Sequence, residues 1–286
     1  GAVPVSDDAS SVDDASIDYL AINRANWDSR VPHHEKGYEV ERFLVDPSHL
    51  SETVRFDVPR LGEVTGRETV HLQCHIGTDT LSLHRLGARV TGLDFSAPAL
   101  EVARRLARET GAEATFVEAD LYSATSVLPT GGFDLVYTGI GALCWLPNVA
   151  RWAEVVSALL RPGGELFIRE GHPMLGSLCD PRPDGLVTLD YPYFETRGES
   201  GTEEFSYVAH DEPLASPSFV SFNHGLAQIF NGLWDAGMDI TFFEEHDSVP
   251  WNALGDAMVV GDLGEWRLRE RPERLAASYT LRAVKV

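Results

Sequence analysis

Basic residues are scarce in this chain. Lys and Arg number 23 against 44 Asp and Glu, a formal net charge of −21. A nucleic-acid binder needs cationic surface to displace phosphate counterions. The only basic groupings, Arg104-Arg105 and Arg267 to Arg274, have Glu nearby, as solvated faces do. Nucleic-acid partners and anionic membrane surfaces are therefore disfavoured. Cysteine is nearly absent: Cys74, Cys144 and Cys179, an odd number with no Cys-x-x-Cys. Neither a disulfide framework nor a zinc site is indicated, and a reducing, cytoplasmic setting is expected. No apolar run reaches the roughly 18 residues of a membrane span. A secretory leader, basic then apolar, is not expected. The pairs His210-Asp211 and His246-Asp247 invite a hydrolase reading, but there is no Gly-x-Ser-x-Gly elbow. Gly-x-Gly-x-x-Gly is missing too, which argues against a nicotinamide-dependent oxidoreductase.

What is present is a globular composition, 43% hydrophobic and 23% charged, in 286 residues. That suffices for one large domain with an insertion. Residues 1–18 carry five Asp and no Lys or Arg, the pattern of a disordered acidic leader. Residues 19–64 suggest an N-terminal helical cover, with one helix from Tyr19 closed by Pro32 and a second from Ser51 or Glu52 to Leu61. Then short apolar runs alternate with helical spacing. Strands are expected at Thr69–Cys74, Arg89–Leu93, Ala114–Val117, Phe133–Thr138 and Glu165–Arg169. Helices are expected at Thr78–Leu86, after the cap Ser96, and at Asn148–Leu160, the last stopped by the turn Arg161-Pro162-Gly163-Gly164. Residues 65–173 thus form a Rossmann-like core. Residues 174–222, rich in Pro, Gly, Ser and aromatics, read as a lid inserted after the fifth strand. Residues 223–286 return a helix and two strands, Ile240–Phe243 and the terminal SYTLRAVKV. The expected architecture is α/β: a doubly wound seven-stranded sheet, mostly parallel, its last strand antiparallel.

Such sheets bind ligands at the carboxyl ends of their strands. Asp94 ends the second strand, placed to accept two hydrogen bonds from a ribose diol. Asp120 follows the third, placed to accept from an adenine amine. Together they specify an adenosine. The stretches HLQCHIGTDTLSL, VTGLDFS, EADL, FDLVYTGIGAL and LLRPGGELFIRE, in that order, resemble the class I S-adenosylmethionine (SAM) dependent methyltransferases over roughly Thr69 to Glu170. The resemblance implies SAM as methyl donor and a small-molecule acceptor of bacterial secondary metabolism, and the aromatic content of residues 174–222 hints at a ring-bearing one. The resemblance also implies donor contacts from Gln73, Cys74, His75, Gly77, Thr78, Asp79 and Thr80; from Asp94, Phe95 and Ser96; from Asp120 and Leu121; and from Thr138, Gly139 and Gly141. Trp27 and Arg30, on a helix folded over the donor, join them, Arg30 through the methionine carboxylate.

The family's first motif is Asp/Glu-x-Gly-x-Gly-x-Gly. Here Gln73, His75, Gly77 and Asp79 stand at those positions. Gly77 is then expected as the one point of close approach to the donor, with the other turns made at negative φ. For a general base, His172 after the fifth strand comes first and His224 second; catalysis without a base stays open. Tyr19, Trp145, Tyr191, Tyr193, Phe219 and Trp251 are candidate pocket walls, and His33-His34 reads as a surface pair rather than a metal site. The glycine-poor loop also leaves room for a non-catalytic module that keeps the sheet.

Overall fold

The structure is a computed structural model that describes residues 18–286; nearly all of the acidic leader lies outside them. The chain opens with helices α1 (Tyr19–Gly37), α2 (Val40–Val45) and α3 (Glu52–Leu61). It continues β1 (Glu68–Leu72), α4 (Thr78–Arg85), β2 (Arg89–Asp94), α5 (Ala97–Thr110), β3 (Ala114–Glu118), α6 (Ala124–Val127), β4 (Phe133–Thr138), α7 (Val149–Leu159) and β5 (Leu160–Gly171). After α8 (Pro173–Gly176) come β6 (Glu199–Thr202), β7 (Ser218–Ser221), α9 (Leu226–Asp235), β8 (Met238–His246), β9 (Ser248–Val249), β10 (Met258–Val260), β11 (Trp266–Leu268) and β12 (Ser278–Lys285).

Seven strands form one sheet in the order β3-β2-β1-β4-β5-β12-β8. The order reverses at β1, whose neighbours β2 and β4 both run parallel to it. The last strand, β12, is antiparallel to β5 and to β8 and lies one place in from the edge. Every residue of β4 is buried, as a central strand covered on both faces requires. One face packs through Leu72, Val136, Leu166 and Leu281 against Trp152 and Val156 of α7 and Leu233 of α9. The other packs through Leu135, Tyr137 and Phe167 against Val54 and Leu61 of α3 and Leu83 of α4. α5 has an apolar stripe (Ala99, Leu100, Ala103, Leu106), the Ser96 cap and Gly111 at φ 71° past its end.

Three expectations change. Pro32 does not close α1, which runs on to Gly37. A proline forfeits one helical hydrogen bond, but α1 is fastened on both sides of it. Asn23 exchanges two hydrogen bonds with the Val220 backbone, Asn26 reaches Ser216 O at 2.9 Å, and His34 beyond Pro32 is fully buried. The stretch Arg161–Gly164 does not stand outside β5. It sits at the head of that strand, where pairing with β4 shifts register and Gly163 takes φ 81°. Residues 248–268 contribute a separate three-stranded antiparallel sheet, β10-β11-β9, over its own cluster of Leu175, Val249, Leu254 and Met258. Residues 177–217 are mostly irregular, and β6 pairs only with β7, which packs on α1. No described helix is long and apolar enough to cross a membrane.

Candidate active site

Beyond the carboxyl ends of β1, β2 and β4, where the strand order reverses, lies a cleft of about 970 Å³ with its mouth included. Its floor is the loop from Gln73 to Asp79. Gln73, His75 and Gly77 take φ of 55°, 51° and 80°, all left-handed. This corrects the expectation of negative φ: the backbone keeps a glycine-like path with side chains on it. Each non-glycine residue there costs about 1–2 kcal/mol, and each is tied down. The Gln73 amide donates to Ala142 O at 3.1 Å, and the His75 N–H donates to Asp94 Oδ2 at 2.9 Å. Gly77 is not set for close approach to a ligand. A Cβ there would meet Ala103 Cβ at 2.8 Å and Phe116 at 3.2 Å, so its smallness serves helix–sheet packing.

Asp94 is 6% exposed and lines the cleft. Its Oδ1 accepts the Ser96 N–H at 2.9 Å, so each carboxylate oxygen has one backbone donor and lone pairs to spare. Burial pushes its carboxyl up to about 6, against the pull of those donors. Phe95, Asp120 and Leu121 line the same end. Gly139 and Gly141 form the wall after β4. That wall is pinned by Glu170 at the end of β5. Its Oε1 accepts the N–H of Gly141 and Gly171, both at 2.7 Å, and its Oε2 those of Ala142 and Leu143, both at 2.9 Å.

α1 closes the top. The Trp27 ring meets His75 at 4.9 Å and Trp145 at 5.4 Å, edge to face. His34, expected on the surface, is fully buried. Its Nδ1 hydrogen-bonds His75 Nε2 at 2.8 Å, and its Nε2 bonds Ser206 Oγ of the inserted segment. Burial lowers both imidazoles, His75 to about 3, so both are neutral. Tyr38 and Tyr207 join α1 to the same segment hydroxyl to hydroxyl.

A second, wider cleft adjoins the first. The two share Trp27, Tyr38, Thr78, Asp79, Ile140, Gly141, Trp145 and Tyr207; beyond these the second is lined by Arg30, Ser51, Cys144 and Trp251 among others. Arg30 therefore faces the second cleft. Its Nε donates to Asn26 at 2.9 Å, it meets Glu203 at 3.3 Å, and its guanidinium lies over Trp27 and Trp145.

Of the expected donor contacts, twelve line the first cleft: Trp27, Gln73, Cys74, His75, Thr78, Asp79, Asp94, Phe95, Asp120, Leu121, Gly139 and Gly141. Gly77, Thr80, Ser96 and Thr138 stand behind it. Thr80 bonds His71 Nδ1 at 2.7 Å and Ser96 caps α5. Neither expected general base lines either cleft. His172 caps α8 through Nδ1 and bonds Glu245 at 2.8 Å. His224 bonds Glu195 at 2.8 Å and Leu146 O at 2.7 Å. Among the expected walls, Tyr19 and Trp145 line the first cleft and Trp145 and Trp251 the second; Tyr191, Tyr193 and Phe219 line neither. Sequence reasoning missed His71, Tyr38 and Tyr207. His71 had one signal, a histidine at an apolar strand position two residues before the loop.

Residues 70–164 match the family model described as "Methyltransferase domain". A ubiquinone biosynthesis O-methyltransferase of Photorhabdus laumondii is 32% identical over 123 residues, 42% of this chain and 50% of that protein. A demethylmenaquinone methyltransferase of Thermus thermophilus is 38% identical over 113 residues, 38% of this chain and 45% of that one. The crystal structure of a SAM-dependent methyltransferase from Mesorhizobium loti superimposes with a TM-score of 0.55 at 26% identity, covering 81% of this chain and 95% of that one. The chain carries a methyltransferase domain over residues 70–164, and its fold is that of the SAM-dependent methyltransferases. It spans about half the length of the curated methyltransferases it matches. The residues present suit SAM: a buried carboxylate for a diol, with apolar Phe95 and Leu121 beside it.

Proposed function

We propose that this protein transfers a methyl group from SAM to a small molecule. The observation that carries the reading is the pair of clefts sharing one wall, the first built around Asp94 at the strand reversal and the second walled by aromatic rings. SAM supplies a methyl group already activated on a sulfonium, so the protein's task is chiefly geometric. Asp94 accepts the ribose hydroxyls, Asp120 faces the adenine, and the backbone from Gln73 to His75 carries the methionine end. Trp27 and Trp145 stand between donor and acceptor and exclude water. Holding the two reactants collinear at about 3–3.5 Å supplies several kcal/mol of the barrier. The rings of Trp27, Tyr38, Trp145, Tyr207 and Trp251 around the second cleft favour a ring-bearing acceptor, which stacks on them at little entropic cost.

Calorimetric titration with S-adenosylhomocysteine (SAH), and separately with NADH, tests the reading. SAH binding tighter than about 100 µM, or −5.5 kcal/mol, with no heat from NADH is the expected result. Binding of NADH alone would turn the assignment to hydride transfer. Binding of neither would leave a module that kept the sheet without its ligand.

A further inference from the structure

Asp79 stands where the family motif has its third glycine, in the first turn of α4. It is one of the residues lining both clefts, and so sits where donor and acceptor meet. Its Oδ1 is held: Ser51, the N-cap of α3, donates its hydroxyl to it at 2.6 Å. Ser51 is itself fixed, its N–H donating to Ser82 Oγ of α4 at 2.9 Å. The other oxygen, Oδ2, lies on the side of Gly139. A Cβ added to Gly139 would stand 3.5 Å from it and 3.9 Å from His71 Nε2. The titratable groups around the carboxyl are Tyr38 from the α1–α2 turn, Tyr207 from the inserted segment, Asp57 from α3, His71 from β1 and Tyr137 from β4. None of these is a cation: burial holds His71 near 3.

Resting on the methyltransferase reading, we infer that Asp79 is the carboxylate facing the transferring methyl group, and that it balances the donor's sulfonium before transfer and takes the acceptor's proton during it. A carboxylate base suits a hydroxyl acceptor, which must lose its proton as its oxygen is methylated. A bond forms between its oxygen and the methyl carbon. The sulfur–methyl bond breaks and leaves its electron pair on sulfur. The hydroxyl proton passes to Asp79 Oδ2. The site thus goes from a half-buried ion pair to neutral SAH, a neutral ether and a neutral carboxylic acid. A drying site favours that direction, because each charge it holds costs desolvation. A counter-charge alone would stabilise the starting sulfonium more than the charge-dispersed transition state; uptake of the proton removes that conflict. Burial raises the carboxyl above the ordinary Asp range, which suits a group that must hold a proton when the sulfonium has gone.

Two ligands that differ at the transferring centre test this without an acceptor. SAH has a neutral sulfur there, and sinefungin has a protonated amine. Wild-type protein is expected to prefer sinefungin, and Asp79→Asn to weaken sinefungin at least tenfold while SAH stays within threefold. In wild type the ratio of the two affinities rises with pH through the titration of Asp79, since the cation binds only the ionised carboxylate well. In Asp79→Asn the ratio is flat. Asp94 serves an adenosine common to both ligands, so its titration cancels in the ratio. Ser51→Ala, which releases Oδ1 and keeps the carboxylate, loses part of the preference. An equal loss for both ligands would assign Asp79 to the methionine end or to the fold and overturn the inference, as would a wild-type ratio indifferent to pH. If wild type binds neither ligand, the donor-site reading itself fails, and that is seen before any variant is made.

Discussion

Replacing Glu170 by Gln tests how the wall of the first cleft is held. The carboxylate takes four backbone N–H groups, two on each oxygen, from Gly141, Ala142, Leu143 and Gly171. It is 6% exposed, so water does not replace a lost partner. A glutamine of the same shape keeps one oxygen and turns an NH2 toward the other two N–H groups. Two buried donors then lose their acceptor, at about 1–3 kcal/mol each, or roughly 2–6 kcal/mol. Against this, the variant no longer buries a charge, a cost visible in the way burial raises the Glu170 carboxyl. A net loss of about 2–4 kcal/mol is expected. Urea unfolding at neutral pH, with ΔG by linear extrapolation, reads it directly. SAH titration on the folded variant reads the second consequence: the turn from Gly139 to Leu143 loses its anchor, and affinity drops at least fivefold. A loss under about 0.5 kcal/mol with unchanged affinity would mean that the four hydrogen bonds do not position the wall.

Three other outcomes follow from buried groups. SAH affinity should fall below about pH 6, by up to tenfold per pH unit, because protonated Asp94 loses acceptors for the ribose; Asp94→Asn should bind weakly and without that slope, and a pH-independent wild type would remove Asp94 from the site. Asp57 is fully buried beneath Tyr137, whose hydroxyl donates to it at 2.6 Å, and burial pushes its carboxyl up to about 7. The folded state binds this proton more tightly than the unfolded one, so the Asp57 contribution is lost as pH rises from about 4 to 7, by as much as ~4 kcal/mol. Asp57→Asn should flatten that part of a stability–pH curve measured by urea midpoints and be the more stable protein at pH 8; an unchanged slope would refute this. Gly77→Ala places a Cβ 2.8 Å from Ala103 Cβ at φ 80° and should cost about 2–4 kcal/mol; a thermal midpoint within a degree of wild type would show that α4 and α5 can part.

The main sheet was legible because its strands and helices carry the two hydrophobic periods cleanly. Phe133–Thr138 is apolar enough to be central, and the stripe of α5 ends on Gly111. α1 was read less well, for a physical reason. Its buried side has helical spacing, but the residues on it are Asn23, Asn26, Arg30 and His34. A polar stripe looks like a solvated face until the inserted segment supplies its partners, Val220, Ser216, Glu203 and Ser206. The small sheet of β9 to β11 was invisible for another reason: strands of two or three residues are too short to repeat the two-residue alternation that marks a strand.

The loop from Gln73 to Asp79 shows why residue type and backbone path have to be read separately. A glycine is informative because it permits left-handed φ cheaply, but its absence does not forbid that φ. Gln73 and His75 adopt it here because bonds elsewhere hold them: Ala142 O to one side chain, Asp94 to the backbone of the other, and His34 to its ring. Those bonds run to the wall, to the end of β2 and to α1, the three elements that enclose the first cleft. The side chains that replaced glycine therefore tie the floor to its surroundings. The same exchange explains Asp79. A glycine at that position leaves the meeting point of the clefts to the ligand; an aspartate oriented by Ser51 puts an acceptor there. Loops with glycine at all three sites can bind the donor through the backbone, but they have no side chain of their own to take a proton from what it reacts with.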